Sequence, residues 1–214
     1  MTSEEKIFII GLPRTGTTSV CSAMLTLGFR VAHTAYTDSA FNQAQVIADT
    51  PIFNDYQQLD IAYPKAKFIY LERSLASWLP SIQQLLLRMH VNLTRDDGGF
   101  NPIIKRCYQA TFSPYSLENI NSVEFLSHCY QQHQSQAQTY FKNRANDFLS
   151  IDISANDSYR KLTQFLAIEE SLIENSAFEK LNVGGKVTAW KDIKSDLKVD
   201  STNKGRVTKL PYLR

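Results

Sequence analysis

The chain lacks a long hydrophobic run: no stretch approaches the roughly 20 apolar residues that a membrane-spanning helix requires. Cysteine is scarce as well. Cys21, Cys107 and Cys129 are odd in number and widely spaced, with no CxxC pair and no paired histidine spacing, which speaks against a disulfide framework or a zinc site. An excess of one charge sign is also missing. The 23 Lys and Arg nearly cancel the 21 Asp and Glu, leaving +2, too little for a nucleic-acid binder that works by counterion release. Any anion site must therefore be local. Met1 to Lys6 is polar and acidic and runs directly into Ile7 to Ile10, without the length and basic flank of a signal peptide, so a cytoplasmic location and no integral membrane contact are expected. The triplets Asn92-Leu-Thr94 and Asn156-Asp-Ser158 then mean only polar surface.

What the chain does have fits one compact domain. Its 214 residues are 43% apolar and 21% charged, close to the globular average, and residues 1–214 are read as a single domain. Lys6 to Ile10 is an unbroken β-branched and aromatic run, which is how a strand buried on both faces reads. Val20, Met24 and Leu27 follow at helical spacing, with Gly28 as the stop. Arg30 to Ala32 is a weak second strand, and Ser39 to Ile47 reads as moderately helical before the Asp49-Thr-Pro51 break. Lys67 to Leu71 repeats the character of the first strand, and Leu75 to His90 reads as an amphipathic helix. A long Gln-rich helix from Val123 to Asn143, a strand from Phe148 to Ile153 and a helix from Tyr159 to Leu166 complete the pattern. Strands alternating with helices predict an α/β, P-loop-type three-layer domain, its central and mostly parallel sheet flanked by helices.

In such a sheet ligands bind beyond the carboxyl ends of the strands, so the strand-to-helix junctions carry the chemistry. Gly11-Leu-Pro-Arg-Thr-Gly-Thr-Thr18 has the skeleton of a phosphate loop, with glycines that let backbone N–H groups curl inward onto the start of a helix. The triphosphatase version needs a lysine where Thr17 stands, and the loop's cation is instead Arg14. At the second junction Arg73 follows its strand directly and Ser81 lies eight residues on, a guanidinium and a hydroxyl suited to share one phosphate.

Pro13-Arg-Thr-Gly-Thr-Thr18 resembles the 5′-phosphosulfate-binding loop of the sulfotransferase family, Pro-[Lys/Arg]-[Ser/Thr]-Gly-Thr-[Thr/Ser]. The Arg73 to Ser81 spacing is similar to that family's 3′-phosphate site, with Trp78 retained from the Arg-Asp-Pro-x-x-Trp version and Ser74-Leu75 in place of its Asp-Pro. For Trp78 core packing is favoured over adenine stacking. The resemblance implies 3′-phosphoadenosine 5′-phosphosulfate (PAPS) as donor and adenosine 3′,5′-bisphosphate (PAP) as product, with no metal. It puts Arg14, Thr15, Gly16, Thr17 and Thr18 at the 5′ end and Arg73 and Ser81 at the 3′-phosphate. Lys204-Gly205-Arg206 resembles the family's late segment that closes over the nucleotide, with a solvated basic tail as the rival reading, and the closing segment would span about 181–214.

The acceptor side needs a base, and His33, just past the second strand, is the first candidate, with an imidazole that accepts a proton near neutral pH. Asp49 is the second, and could alternatively orient His33. His90, His128 and His133 read as solvated positions on helices without partners. Residues 91–116, with a Gly pair and scattered aromatics, form an irregular segment that would serve as an acceptor lid. The expectation is transfer of a sulfuryl group to a hydroxyl or amine of a small-molecule, glycan or lipid acceptor, with no nucleic acid as partner. The alternatives are a P-loop kinase or triphosphatase and a noncatalytic nucleotide-binding domain.

Overall fold

Alternating burial explains the centre of the molecule. In β1, Ile7–Ile9, every residue is buried: Ile7 and Ile9 face one layer of helices, Phe8 and the following Ile10 the other. The computed structural model describes residues 5–173, 177–179, 182–183, 186–187 and 189–213. Around β1 stand β2 (Val31–Ala32), β3 (Val46–Ala48), β4 (Lys67–Glu72) and β5 (Phe148–Asp152) in the order β2-β3-β1-β4-β5, with every pairing parallel. Register is set by pairs such as Phe8 with Ile47 and Phe68.

Helices α1 (Thr17–Thr26) and α8 (Ser158–Phe165) cover the Ile7/Ile9 face through Val20, Met24, Tyr159 and Leu162. The opposite face is covered by α2 (Asp38–Gln43), α3 (Ile52–Ala62) and α7 (Val123–Tyr140), with Phe41, Tyr56, Leu59 and Phe141 packed on Phe8 and Phe68. Between β4 and β5 the chain also builds α4 (Leu75–Thr94), α5 (Pro102–Thr111) and α6 (Leu117–Asn121), which share a third core with the end of β1's loop through Leu12, Trp78, Ile82, Tyr108 and Phe112. This is the expected α/β three-layer arrangement. A short antiparallel pair, Asn182–Val183 with Lys186–Val187, lies late in the chain. Among the described residues no helix is long and apolar enough to cross a membrane.

Three expectations need correction. The segment read as a helix from Ser39 to Ile47 divides: Thr37 Oγ1 caps α2 by accepting from Ala40 N–H at 3.1 Å, the helix stops at Gln43, and Val46-Ile-Ala48 becomes β3. Three fully buried apolar residues fit a helix and a strand equally well, and β-pairing on both sides decides. The segment 91–116 is not uniformly irregular: α4 runs on to Thr94, and Asn101 caps α5 with Pro102 in its first turn. α5 is tied to α3 by Arg106, which makes two bonds to the buried Asp55 carboxylate at 2.8 and 2.5 Å. His133 is not solvated. Its Nε2–H donates to Phe53 C=O at 2.7 Å and its Nδ1 accepts from Tyr70 OH at 3.2 Å. His128 is exposed as expected, and His90 stacks on Tyr115 with ring centroids 5.7 Å apart.

Burial pushes the His133 pKa down to about 4. A histidine depressed in this way is neutral in the fold while the unfolded chain takes up a proton near pH 6.5, so stability is complete above that pH and is lost as pH falls toward 4. The expected loss over this window is about 3 kcal/mol. Urea unfolding between pH 7.5 and 4.5 checks it: His133→Gln should lower the pH slope by about one proton, and an unchanged slope would count against the buried neutral ring.

Candidate active site

The loop after β1 starts where the chain has to pass β4 at close range. A Cβ on Gly11 would lie 2.6 Å from Leu71 Cβ and 2.9 Å from the Leu71 backbone nitrogen, so only glycine lets the chain through. Thr15 then closes a turn, its N–H and its hydroxyl both donating to Leu12 C=O, at 3.3 and 2.7 Å. Arg14 and Gly16 take left-handed backbone angles, φ 74° and 107°, and a backbone that alternates hand in this way turns successive N–H groups toward a common side. Helix α1 follows with Gly16 as its N-cap and no capping side chain, leaving its first N–H groups facing outward.

The second junction is joined to the first. Arg73 Nη1 donates to Arg14 C=O at 2.6 Å, and Arg14 Nε donates to Ser81 Oγ at 2.8 Å. Trp78, fully buried on α4, donates from Nε1 to Pro13 C=O at 2.9 Å, so it belongs to the core and also holds the loop. Beside these contacts opens a crevice of about 450 Å³, a size typical of small-molecule sites, walled by Thr15 and Gly16 of the loop, Arg73, Ser74, Ser77 and, from β5 onward, Asp152 to Asn156 with Tyr159 and Phe178. Ser81 is turned to Arg14, and the hydroxyls beside Arg73 in the crevice wall are those of Ser74 and Ser77, which the motif spacing did not single out. Three serines on one helix face at spacings of three and four share this signal, and spacing alone does not choose among them.

Positive charge gathers around Arg14, while Asp152 and Glu179 stand in the crevice wall. Burial lowers the Arg14 pKa, and the charges of Arg73 and Arg88 lower it further, against weaker opposition from Tyr108 and Asp49. Among the described residues, none of these three guanidiniums has a carboxylate within 4 Å. Cations gathered without an internal counter-ion form a site for an external anion.

His33 and Asp49 extend adjacent strands, β2 and β3, at the same carboxyl edge. His33 Nε2 lies 3.1 Å from Thr18 Oγ1 and 3.4 Å from Thr17 Oγ1, which places the imidazole against the loop's helix start. Its other neighbour is Trp190, with ring centroids 5.3 Å apart, and Lys198 sits over the indole at 4.7 Å. Burial moves the His33 pKa below the ordinary imidazole value; Asp49's charge opposes the shift and Lys198's adds to it. Asp49 takes φ 49°, an uncommon angle for a residue with a side chain, and accepts from Thr50 Oγ1 at 3.1 Å.

A family model described as a sulfotransferase domain matches residues 6–37 and 34–187 of the chain. The chain belongs to the sulfotransferase domain family. A curated relative, "Ava biosynthesis cluster protein M" from Aspergillus versicolor, is 31% identical over 114 residues, covering 38% of this chain and 43% of the relative. The chain thus matches less than half the length of that protein.

The sulfotransferase match contains the loop, His33, Asp49, Arg73 and Ser81 and ends before Lys204. Lys204-Gly205-Arg206 follows the segment that runs alongside Val31 and Tyr36. It is an exposed turn, with Asn203 and Arg206 exchanging backbone bonds at 3.0 and 2.9 Å and left-handed angles at Lys204 and Gly205. The chain before it pairs with the free edge of β2, where Val31 N–H donates to Leu197 C=O at 2.9 Å and Val199 N–H to Val31 C=O at 2.8 Å. On either side of the turn, Tyr36 N–H donates to Ser201 C=O at 2.9 Å and Thr208 N–H to Tyr36 C=O at 2.9 Å, so the turn stands beside the stretch that follows His33. Of the expected closing segment 181–214, Leu181, Gly184, Gly185, Thr188 and Arg214 lie outside the described residues.

The close passage at Gly11 gives a direct check. Gly11→Ala should cost about 1–3 kcal/mol in urea unfolding, because the new methyl meets rigid β4 backbone rather than a movable side-chain tip. A cost near zero would mean the loop is free to move away from β4.

Proposed function

We propose that this chain is a PAPS-dependent sulfotransferase acting on a small-molecule hydroxyl or amine. The observation that carries the reading is the junction of the phosphate loop with Arg73: two anion-binding groups from separate strands share one crevice and one hydrogen bond, Arg73 Nη1 to Arg14 C=O. The residues fit a donor with an anionic group at each end. The uncapped N–H groups of α1, with Thr17, Thr18 and Arg14, would hold the 5′ end, and Arg73 with the neighbouring serines the 3′-phosphate. When bound, PAPS supplies a sulfuryl group on a phosphate leaving group. The protein's part is to stabilise the charge that develops at the 5′ end, through loop N–H groups and Arg14, and to take a proton from the acceptor. His33 suits the role of proton acceptor, because its depressed pKa keeps it neutral at pH 7 and the nearby Asp49 charge favours the imidazolium it becomes. The fungal relative's name places that protein in a biosynthesis cluster, which supports a small-molecule acceptor here. We read residues 1–214 as one such domain.

Titration calorimetry with PAP, AMP and ATP, without and with magnesium, tests the donor site. PAP should bind without metal and more tightly than AMP, and Arg73→Ala should lower PAP affinity roughly 10- to 100-fold, toward that of AMP. A preference for ATP with magnesium would assign the chain to the kinase or triphosphatase class instead, where Thr17 already stands in place of the lysine. Absence of any binding would favour a noncatalytic domain.

Turnover of labelled PAPS against a panel of phenols, sugars and amines tests the base. The acid limb of kcat/KM should have its midpoint below the ordinary imidazole value of about 6.5. His33→Gln should reduce kcat by roughly 10²- to 10⁴-fold while PAP affinity stays within a few-fold of the parent. Retention of full turnover in that variant would move the role to Asp49.

A further inference from the structure

Neither the Pro13 carbonyl nor the Arg73 backbone is held by the sheet, since both lie beyond the ends of their strands. Two aromatic side chains hold them instead. Tyr130, on α7, places its hydroxyl between both backbone groups of Arg73, accepting from Arg73 N–H at 2.8 Å and donating to Arg73 C=O at 2.9 Å. Its ring packs against the Trp78 indole with centroids 4.8 Å apart, and Trp78 Nε1–H reaches Pro13 C=O at 2.9 Å. The circuit closes through Arg73 Nη1 and Arg14 C=O. Five residues from three parts of the chain thus form one ring of contacts, Pro13, Trp78, Tyr130, Arg73 and Arg14. Both aromatic side chains are buried, so water does not compete for these bonds.

From this circuit we infer that Trp78 and Tyr130 are positioning residues that fix the distance between the phosphate loop and Arg73, and so make the crevice selective for a nucleotide phosphorylated at both ends. The inference rests on the reading of the crevice as the PAP site. A nucleotide with a 5′-phosphate alone uses the loop and is indifferent to where Arg73 stands. A 3′,5′-bisphosphate must reach both, and its second contact has full strength only if the two are held at the right separation before it binds. Tyr130 does this without touching the ligand, through the peptide groups on either side of the arginine's Cα.

The test compares PAP and AMP affinities by calorimetry in the parent, in Tyr130→Phe and in Tyr140→Phe. Tyr130→Phe keeps the ring contact with Trp78 and removes only the hydroxyl. Tyr140→Phe is the control: it removes a hydroxyl bond to Asp60 at 2.8 Å, remote from the crevice. The PAP-to-AMP affinity ratio should fall about 10-fold in Tyr130→Phe. AMP affinity should stay within about three-fold of the parent, and the control should keep the parent ratio. If Tyr130→Phe keeps the parent ratio, or if Tyr140→Phe lowers it equally, the positioning role is overturned while the donor site stands. A parent that does not prefer PAP over AMP overturns the donor-site reading and the inference together. Should Tyr130→Phe not fold, the same ratio is read in Trp78→Phe, which removes the bond to Pro13 and is expected to lower it in the same direction; an unchanged ratio there overturns the inference.

Discussion

At Gly11 the chain leaving β1 passes β4 with room for a hydrogen and nothing larger, and the geometry of the site follows from that contact. Because the loop lies directly against Leu71, its next residues cannot spread across the sheet edge and have to turn back on themselves. The Thr15 hydroxyl on Leu12 C=O and the left-handed angles of Arg14 and Gly16 are the means of that turn. The same proximity brings the Arg14 carbonyl within 2.6 Å of an arginine that ends the neighbouring strand. Loop and arginine are therefore one unit. In a parallel sheet with the order β2-β3-β1-β4-β5, the connections from β1 and β4 leave toward opposite sides, and the opening between them is where such a unit faces solvent.

This arrangement has an electrostatic cost. Half-burying Arg14 near Arg73 and Arg88 sets like charges together in a region of reduced dielectric, and burial first and these charges second lower the Arg14 pKa. A structural ion pair would relieve that cost, as Arg106 with Asp55 and Arg144 with Asp60 do elsewhere in the same molecule. Near Arg14, Asp49 acts through its charge rather than through a direct contact. A protein that pairs Arg106 and Arg144 with carboxylates and leaves these arginines without one has a field ready for an anionic ligand, and the opposing charge arrives with that ligand.

The fold was legible where single segments carry enough information. β1 and β4 read as unbroken apolar runs because both of their faces are covered, and the turn between β1 and α1 read from its glycines. β3 did not, because three apolar residues joined to a short helix contain no period long enough to separate strand from helix. α5 was hidden behind Asp96-Asp-Gly-Gly99, whose breaker signal ends before Asn101 caps a regular helix. His133 looked solvated because its neighbours in sequence are glutamines; its burial comes from Tyr70 and Phe53, on other elements. Arg14 and Arg73 could be found from local spacing, whereas Tyr130 could not, since its hydroxyl bonds to a peptide unit far away in sequence. The place of Lys204-Gly-Arg206 is set by its flanks, Leu197 and Val199 bonding to Val31, and Ser201 and Thr208 to Tyr36, which no feature of the tripeptide encodes.

The long connection from β4 to β5 ties the two halves of the site to each other. Leu12, inside the loop after β1, does not pack on the sheet layers but in the core formed by α4 to α7, beside Trp78, Tyr108 and Phe112. The helices that separate β4 from β5 thus contribute the loop's apolar anchor, the indole on Pro13 and the phenol on Arg73. In close-packed interiors a change of one methylene shifts its neighbours, so a repacking of this helical module is felt at the crevice. Variation in α5 or α6 is then constrained by more than its own fold: any substitution that moves Leu12, Trp78 or Tyr130 also moves the loop or the arginine. The residues free to differ without that consequence are exposed ones such as Leu87, Val91 and Leu117.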